Sequence, residues 1–323
     1  MRVARYIGGG EVAIVEEPTP SCPPGGLLIQ TEACGLCSGE LMGWYMDRKI
    51  PHVLGHEVAG RVIESKDRRF PVGARVFPHH HAPCLKCEQC KAGHHVHCEQ
   101  WKRTKLLPGG MAEFFAVPAE NLNDTLIVDD LKPADAALIE PLACVVKSLR
   151  AGSARERSRS AVIGLGVMGL MHMLLLPEAI GYDVNDERVQ WALTQGLDAR
   201  TPDAFEEADT IFVCPGSQPA FEFALQMTNP GATIVMFAPL PPGEPLRIPS
   251  EAYFKDLRIT HSYSCGPDDT REAADIIRGL GMWAEQVVSH FIGIDELPQA
   301  YQAMKRGEIL KPMVLFDTNG ILS

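Results

Sequence analysis

The stretch Ala161-Val162-Ile163-Gly164-Leu165-Gly166-Val167-Met168-Gly169 decides how the second half of this chain reads. Three apolar residues of strand type run into glycines spaced G-x-G-x-x-G, and a helical apolar run follows. At that spacing Gly164 permits a tight turn, Gly166 lets a pyrophosphate approach the backbone, and Gly169 lets helix pack on strand; Val167 and Met168 belong to the same turn. Asp183 ends the next apolar run nineteen residues after Gly164. That is close to the spacing of about 20 expected for a carboxylate that takes both hydroxyls of an adenine ribose. A dinucleotide site follows. Asp183 would repel a 2′-phosphate and so favours NAD over NADP, and Arg188 is the cation placed to soften that preference.

Outward from this turn, apolar runs at Ile180–Asp183, Ile211–Cys214, Thr233–Phe237 and Leu257–Thr260 alternate with helical segments, which implies a doubly wound parallel α/β sheet. The segment Ser160–Tyr182 is as long as a membrane span, but it carries four glycines, His172 and Pro177, and reads as buried strand and helix. Pro177 leaves room for only a short helix after Gly169. Before a charged, serine-containing connector at Ser153–Ser160, the chain has another character. Runs at Val3–Tyr6, Val12–Glu16, Leu27–Thr31, Val58–Ile63 and Ala112–Val117 alternate with Gly/Pro turns, so this half is β-rich. A helical pattern starts at Pro133 and breaks at Pro141, placing Glu140 at a joint. The tail reads as a strand at Gln286–Ser289, a helix at Asp295–Arg306 and a strand at Pro312–Phe316, and periodicity does not assign it to either half.

At about 150 residues per domain, 323 residues predict two domains. With 46% hydrophobic residues the chain can bury a core. A net charge of −11 opposes binding to nucleic acid or anionic lipid, so neither is an expected partner. Met1–Glu17 shows no apolar run behind basic residues, and the expected location is the cytoplasm.

Four of the ten cysteines lie between residues 84 and 98. Cys84, Cys87, Cys90 and Cys98, spaced C-x2-C-x2-C-x7-C, put three thiolates within reach of one ion while the loop swings in a fourth, which predicts a closed structural zinc site. An iron–sulfur cluster more often has a three-residue last gap followed by proline. The neighbouring His79–His81, His94, His95 and His97 could supply alternative ligands, but on a polar loop they read as solvated and are left out of the site. Closed tetrahedral zinc polarises no substrate, so any metal chemistry needs another place. Cys37 with His56 and Glu57 offers sulfur, nitrogen and oxygen donors that suit zinc. Glu140 either completes this set or hydrogen-bonds the metal's water. Cys34-Gly-Leu-Cys37 also fits a redox dithiol, but β-rich surroundings disfavour that use.

Jointly, Cys34-Gly-Leu-Cys37, Gly55-His56-Glu57-Val-Ala-Gly60, the four-cysteine lobe, Gly109-Gly-Met-Ala-Glu113, Glu140-Pro-Leu-Ala, Gly164 to Gly169 and Gly307-Glu-Ile-Leu-Lys311 resemble the zinc-containing medium-chain alcohol dehydrogenases, most closely their sorbitol, iditol and threonine dehydrogenase branch. The resemblance implies a GroES-like catalytic domain from both chain ends, residues 1–146 and 283–323, with a Rossmann domain, residues 147–282, between them. It implies a catalytic zinc surrounded by Cys37, His56 and Glu57, with Glu140 as a third ligand or water-binding carboxylate. Lys311 would reach the cofactor pyrophosphate, and the loops at Cys214 and Ala238 would flank adenosine and nicotinamide. Trp44 and Tyr45 fall where relatives line the substrate pocket, although two aromatics in a β-rich lobe are more often core.

Relatives also carry a proton-relay hydroxyl at the position of Gly39 and, in some cases, a histidine at that of Met42; here the hydroxyl has moved to Ser38. The implied activity is hydride transfer from a secondary alcohol (a polyol, sugar alcohol or hydroxy-amino acid) to NAD, by a homodimer or homotetramer. Two alternatives compete: a zinc-free quinone reductase of the same architecture, and a zinc-ribbon nucleic-acid binder suggested by the cysteines and Lys102-Arg103-Thr104-Lys105. The ligand residues and Asp183 oppose the first, the acidic charge the second.

Overall fold

The computed structural model describes residues 1–152, 159–280 and 283–316. The first six residues of the expected connector lie outside these, as do residue 282 at the expected domain boundary and residues 317–323. The chain divides into two compact units, Met1–Ala143 with Cys265–Ser323, and Cys144–Ser264.

The second unit is built on six parallel strands. Numbered along the chain as Ser160–Ile163, Ile180–Tyr182, Ala199–Arg200, Ala208–Val213, Thr228–Met236 and Arg258–His261, they lie in the order 3-2-1-4-5-6, the doubly wound order that leaves a crevice beyond the first strand's carboxyl end. Ala161, Ile163, Ile211, Val213, Ile234 and Met236 fill one core with Phe221 and Met227 of the covering helix segment. The chain turns at Gly164, whose φ of +86° suits glycine. Its N–H donates to Tyr182 O at 2.7 Å, tying the turn to the neighbouring strand. The helix Val167–Leu175 then stops at Leu176, whose backbone is driven out of the helical region by Pro177. The supposed membrane-length segment is thus strand, helix and strand, and no helix among the described residues is long and apolar enough to cross a membrane.

In the first unit the strand Leu27–Gly35 is buried at all nine positions. It pairs antiparallel with Glu57–Ser65 on one edge and with Phe114–Val117 and Pro312–Leu315 on the other. Pro312–Leu315 is flanked in turn by His290–Ile292, so the tail completes the front sheet.

Three expectations are corrected. The strand expected at Gln286–Ser289 is instead the helix Trp283–Val287. Its Trp283, Ala284 and Val287 are buried at helical spacing, and the Ala284 N–H donates to Asp135 at 2.9 Å. The helical break falls at Leu138, between Pro133–Ala137 and Ile139–Gly152. Pro141 sits in the second helix's first turn, where an amide N–H would have no helical partner, so Glu140 is not at the joint. The helix Pro267–Leu280, expected within the nucleotide-binding part, belongs to the first unit. There Thr270 donates to Asp124 at 2.6 Å and Arg278 pairs with Asp130 at 2.7 Å.

Candidate active site

Cys84, Cys87, Cys90 and Cys98 bring their sulfurs within 4.8 Å of one another. The Cys87–Cys90 and Cys84–Cys90 separations, 3.5 and 4.0 Å, bracket the edge of roughly 3.8 Å that a tetrahedron with Zn–S bonds of about 2.3 Å requires. The amide N–H groups of Lys86 and Cys87 pull the Cys84 thiol down to about 6, while burial pushes Cys90 up to about 12. Trp101 packs beneath the four sulfurs.

Cys37 caps the short turn Ser38–Leu41 that follows the central strand, its sulfur accepting the Gly39 N–H at 3.4 Å. Gly55 holds a φ of +95°, and a Cβ there would run into Met111 N and stand 2.8 Å from Cys34 Sγ. This glycine lets the chain turn tightly enough to bring His56 and Glu57 up to Cys37. The donor atoms of the three lie within 4.8 Å of one another.

Glu40, which the sequence reading passed over, is buried beneath them. Its carboxylate accepts the Gly55 N–H at 2.8 Å and lies 3.4 Å from His56 Nδ1. Burial pushes the Glu40 carboxyl up, but His56 and the Gly55 N–H outweigh it and hold the group below its usual range. Burial likewise opposes protonation of His56, and Cys37 and Glu40 overcome it, raising the imidazole well above its usual value. The pocket therefore stabilises positive charge. With Nδ1 turned to Glu40, His56 offers Nε2, the carboxylate–histidine arrangement that orients a metal ligand.

Glu140 does not join that trio. Its carboxylate lies within 4.8 Å of ring nitrogens of His79 and His80, and burial raises it. The expectation of solvated histidines fails here. His79 is fully buried with Nδ1 2.7 Å from Asp124, the His80 ring lies 4.8 Å from the His56 ring at a 43° tilt, and His81 contacts Thr104 O at 2.8 Å. His94 and His97 are exposed as expected. Lys311 is buried, its ammonium held by the Glu57 carboxylate and by Leu36 O at 3.3 Å; its partner is a carboxylate of its own unit. Ser38 is exposed beside Cys37. Trp44 and Tyr45 are exposed rather than core, under Arg48 and Lys49. The Cys34 thiol is buried and pushed well above its usual range, which argues against redox use.

In the second unit, an added Cβ at Gly169 would overlap the Gly164 carbonyl, whereas one at Gly166 would meet nothing within 4 Å. Asp183 accepts the N–H groups of Leu165 and Asn185 at 2.7 and 2.8 Å, which aims its carboxylate at the glycine turn. Arg188, the cation placed to soften the NAD preference, stands 3.6 Å from Asp183. Burial pushes the Cys214 thiol up to about 12, 3.9 Å from His172 Nδ1. Ala238 is half-buried in the loop after the fifth strand. The glycine spacing revealed this half. Nothing in one sequence marks Glu40, whose signal is proximity in space, and the run His79–His81 stands out in the sequence without the distant partners that bury it.

Residues 23–126 match the alcohol dehydrogenase GroES-like domain family. The chain is 27% identical over 319 residues to D-altritol 5-dehydrogenase of Agrobacterium fabrum, covering 92% of this chain and 94% of that one. It is 26% identical over 320 residues to L-threonine 3-dehydrogenase of Rhizobium johnstonii, covering 90% and 91%. A solved structure from Sinorhizobium meliloti 1021, described as a zinc-binding dehydrogenase bound to NADP, shares the fold with a TM-score of 0.85 at 24% identity, covering 98% and 99%.

Proposed function

For a chain that belongs with the zinc-containing medium-chain alcohol dehydrogenases, on their polyol and threonine dehydrogenase side, we propose an NAD-dependent oxidation of a secondary alcohol to the ketone. The observation that carries this reading is the convergence of Cys37, His56 and Glu57 over Glu40. Three mixed donors leave a fourth position open, as catalytic rather than structural zinc requires. When bound, zinc lowers the pKa of an oxygen it holds, and NAD accepts the hydride.

Cys37 and Glu57 supply negative charge to the ion, and Lys311 fixes the Glu57 carboxylate. Glu40 orients His56. Ser38 Oγ, exposed beside Cys37, passes the substrate proton to solvent. In the second unit the amides that open the helix at Val167 and Met168 hold the pyrophosphate, Gly166 lets it approach, and Asp183 takes the ribose. Cys214 and Ala238 border the two ends of the dinucleotide. The Cys84–Cys98 lobe holds a second, structural zinc. A substrate of the polyol, sugar-alcohol or hydroxy-amino-acid class is supported by the relatives named altritol and threonine dehydrogenases.

We further propose a cytoplasmic homo-oligomer, dimer or tetramer. The edge strand Arg258–His261 is supported as a joining surface by exposed Tyr253, Phe254 and Tyr263 close to it in sequence. The test is NAD+ reduction against polyols, hydroxy-amino acids and simple secondary alcohols. Turnover on one class, lost in His56→Ala with the fold retained, supports the reading; no turnover on any overturns it.

A further inference from the structure

The chain from Cys37 to His56 is one short excursion between two of the three donors. It comprises the turn Ser38–Leu41, the helical turns Gly43–Met46 and Asp47–Lys49, and the strand His52–Val53. Met46 is buried and anchors it in the core. Trp44 and Tyr45, 36% and 41% exposed, are not explained by that core, and they meet edge to face at 5.8 Å. Each ring lies under a cation. The Arg48 guanidinium carbon stands 5.5 Å from the Trp44 centroid, and the Lys49 ammonium 3.7 Å from that of Tyr45. A long cationic side chain loses freedom when it is fixed, and a ring face beneath it offsets that loss before any ligand arrives.

These cations stand next to the donor trio. Burial lowers the pKa of His52, Glu40 opposes this, and the charges of Lys49 and Lys105 add to the lowering. Lys49 acts in the same direction on His80 and His81, behind burial and the neighbouring imidazoles. The His80 ring in turn lies 4.8 Å from that of His56.

Among the described residues no carboxylate pairs with Arg48, Lys49 or Lys105. Asp47, within the same turn, accepts the Tyr6 hydroxyl at 2.7 Å and the Gly9 N–H at 3.3 Å. Glu40 is engaged by Gly55 and His56. Of the basic run Lys102–Lys105, Lys102 pairs with Glu99 and Arg103 donates to Glu99 O, which leaves Lys105. Three unpaired cations therefore gather beside the site in a chain of net charge −11. A neutral polyol offers them no counter-charge. An oxyanion does, because ammonium and guanidinium donate charge-assisted hydrogen bonds to phosphate or carboxylate, and stacking on a ring face leaves N–H groups for that purpose.

We propose that Lys49, supported on Tyr45 and flanked in sequence by Arg48, together with Lys105 selects a secondary alcohol carrying an oxyanion, a phosphate monoester or a carboxylate, which docks on these cations while the hydroxyl is oxidised at Cys37, His56 and Glu57. This substrate class rests on the oxidation proposed above.

The test sets neutral polyols against their terminal phosphates and the matching hydroxy acids, as substrates for NAD+ reduction and, by titration calorimetry, as ligands of the purified protein. Loss of one charge-assisted contact in Lys49→Gln should raise KM and Kd for the favoured anion roughly 10- to 150-fold, with kcat, melting temperature and the constants for the neutral polyol unchanged. Lys49→Arg, which keeps the charge, should restore most of the binding. Lys105→Gln, at an exposed position, should cost less than about 5-fold. A kcat/KM that favours one anion over its neutral polyol, lost in Lys49→Gln, supports the proposal, and the anion that leads identifies the group. Equal or better turnover of the neutral polyol, or an anion preference that survives Lys49→Gln, overturns it and leaves the dehydrogenase standing. If none of the alcohols is turned over, calorimetry separates the two readings: anion binding weakened in Lys49→Gln upholds the cationic site and refutes the oxidation, whereas anion binding that is absent or unchanged in Lys49→Gln refutes both.

Discussion

Gly166→Ala separates a glycine kept for a ligand from one kept for the fold. Gly166 has an ordinary extended backbone, φ −70° and ψ −176°, and an alanine methyl there meets no atom within 4 Å. Folding stability should therefore change only by the weaker capping preference of alanine, at most about 1 kcal/mol, or roughly 4 °C in melting temperature. The methyl would, however, stand between the helix-opening amides and a pyrophosphate. Overpacking of that kind costs about 1–3 kcal/mol, which converts to an NADH Kd roughly 5- to 150-fold weaker.

Gly169→Ala is the contrasting case, because its methyl overlaps the Gly164 carbonyl and comes within 2.9 Å of that carbon. Here the same 1–3 kcal/mol falls on folding, offset by less than about 1 kcal/mol of helix propensity. Differential scanning calorimetry and NADH fluorescence titration on both variants read the two effects. A Gly166→Ala protein that binds NADH as tightly as the wild type would refute the assignment of the turn, as would one whose melting falls as far as that of Gly169→Ala.

Lys311→Met in chelator-treated protein should lower stability by about 3–5 kcal/mol, because it strands the buried Glu57 carboxylate, and the double variant Glu57→Gln/Lys311→Met should recover most of that; equal stabilities of single and double variants in urea unfolding would contradict the pairing. Asp183→Ala should weaken NADH binding and shift preference toward NADPH by about 5- to 150-fold, since Arg188 loses its carboxylate; an unchanged NADPH-to-NADH affinity ratio counts against the ribose assignment. His172 is fully buried, and burial lowers its pKa to about 4. The unfolded chain binds that proton near pH 6.5 and the folded chain only near 4, so the neutral ring's contribution is complete above pH 6.5 and is lost as pH falls toward 4. His172→Gln should flatten the stability-against-pH curve in that window by about 3 kcal/mol, and parallel curves would refute this. Cys90→Ser should release one zinc and expose the lobe to protease; unchanged zinc content and resistance would contradict its structural role.

Where the sequence was legible, local spacing set the geometry. The glycine turn and Asp183 are close in the chain, and a parallel sheet imposes the alternation from which its order follows. The cysteine lobe is legible for the same reason, with all its ligands inside fifteen residues. The helix Trp283–Val287 escaped because Val287 and Val288 carry β propensity while the burial of Trp283, Ala284 and Val287 follows a helical face. The histidines after the strand Arg75–Pro78 look like a polar loop, yet Asp124 and Cys265, 45 and 186 residues away from His79, bury one of them. Lys311, which the resemblance sets at the cofactor pyrophosphate, is held by Glu57, 254 residues earlier. Long-range closure of a sheet makes these neighbours, and no spacing records it.

Hydride transfer itself is the sharpest measurement. With a carbinol-deuterated alcohol from the class that supports turnover, mass spectrometry of the coenzyme should find deuterium on the nicotinamide produced by the wild type. His56→Ala, though folded and binding NADH normally, should give none. Coenzyme reduced without label, or labelled equally well by His56→Ala, would contradict a dehydrogenase centred on Cys37, His56 and Glu57.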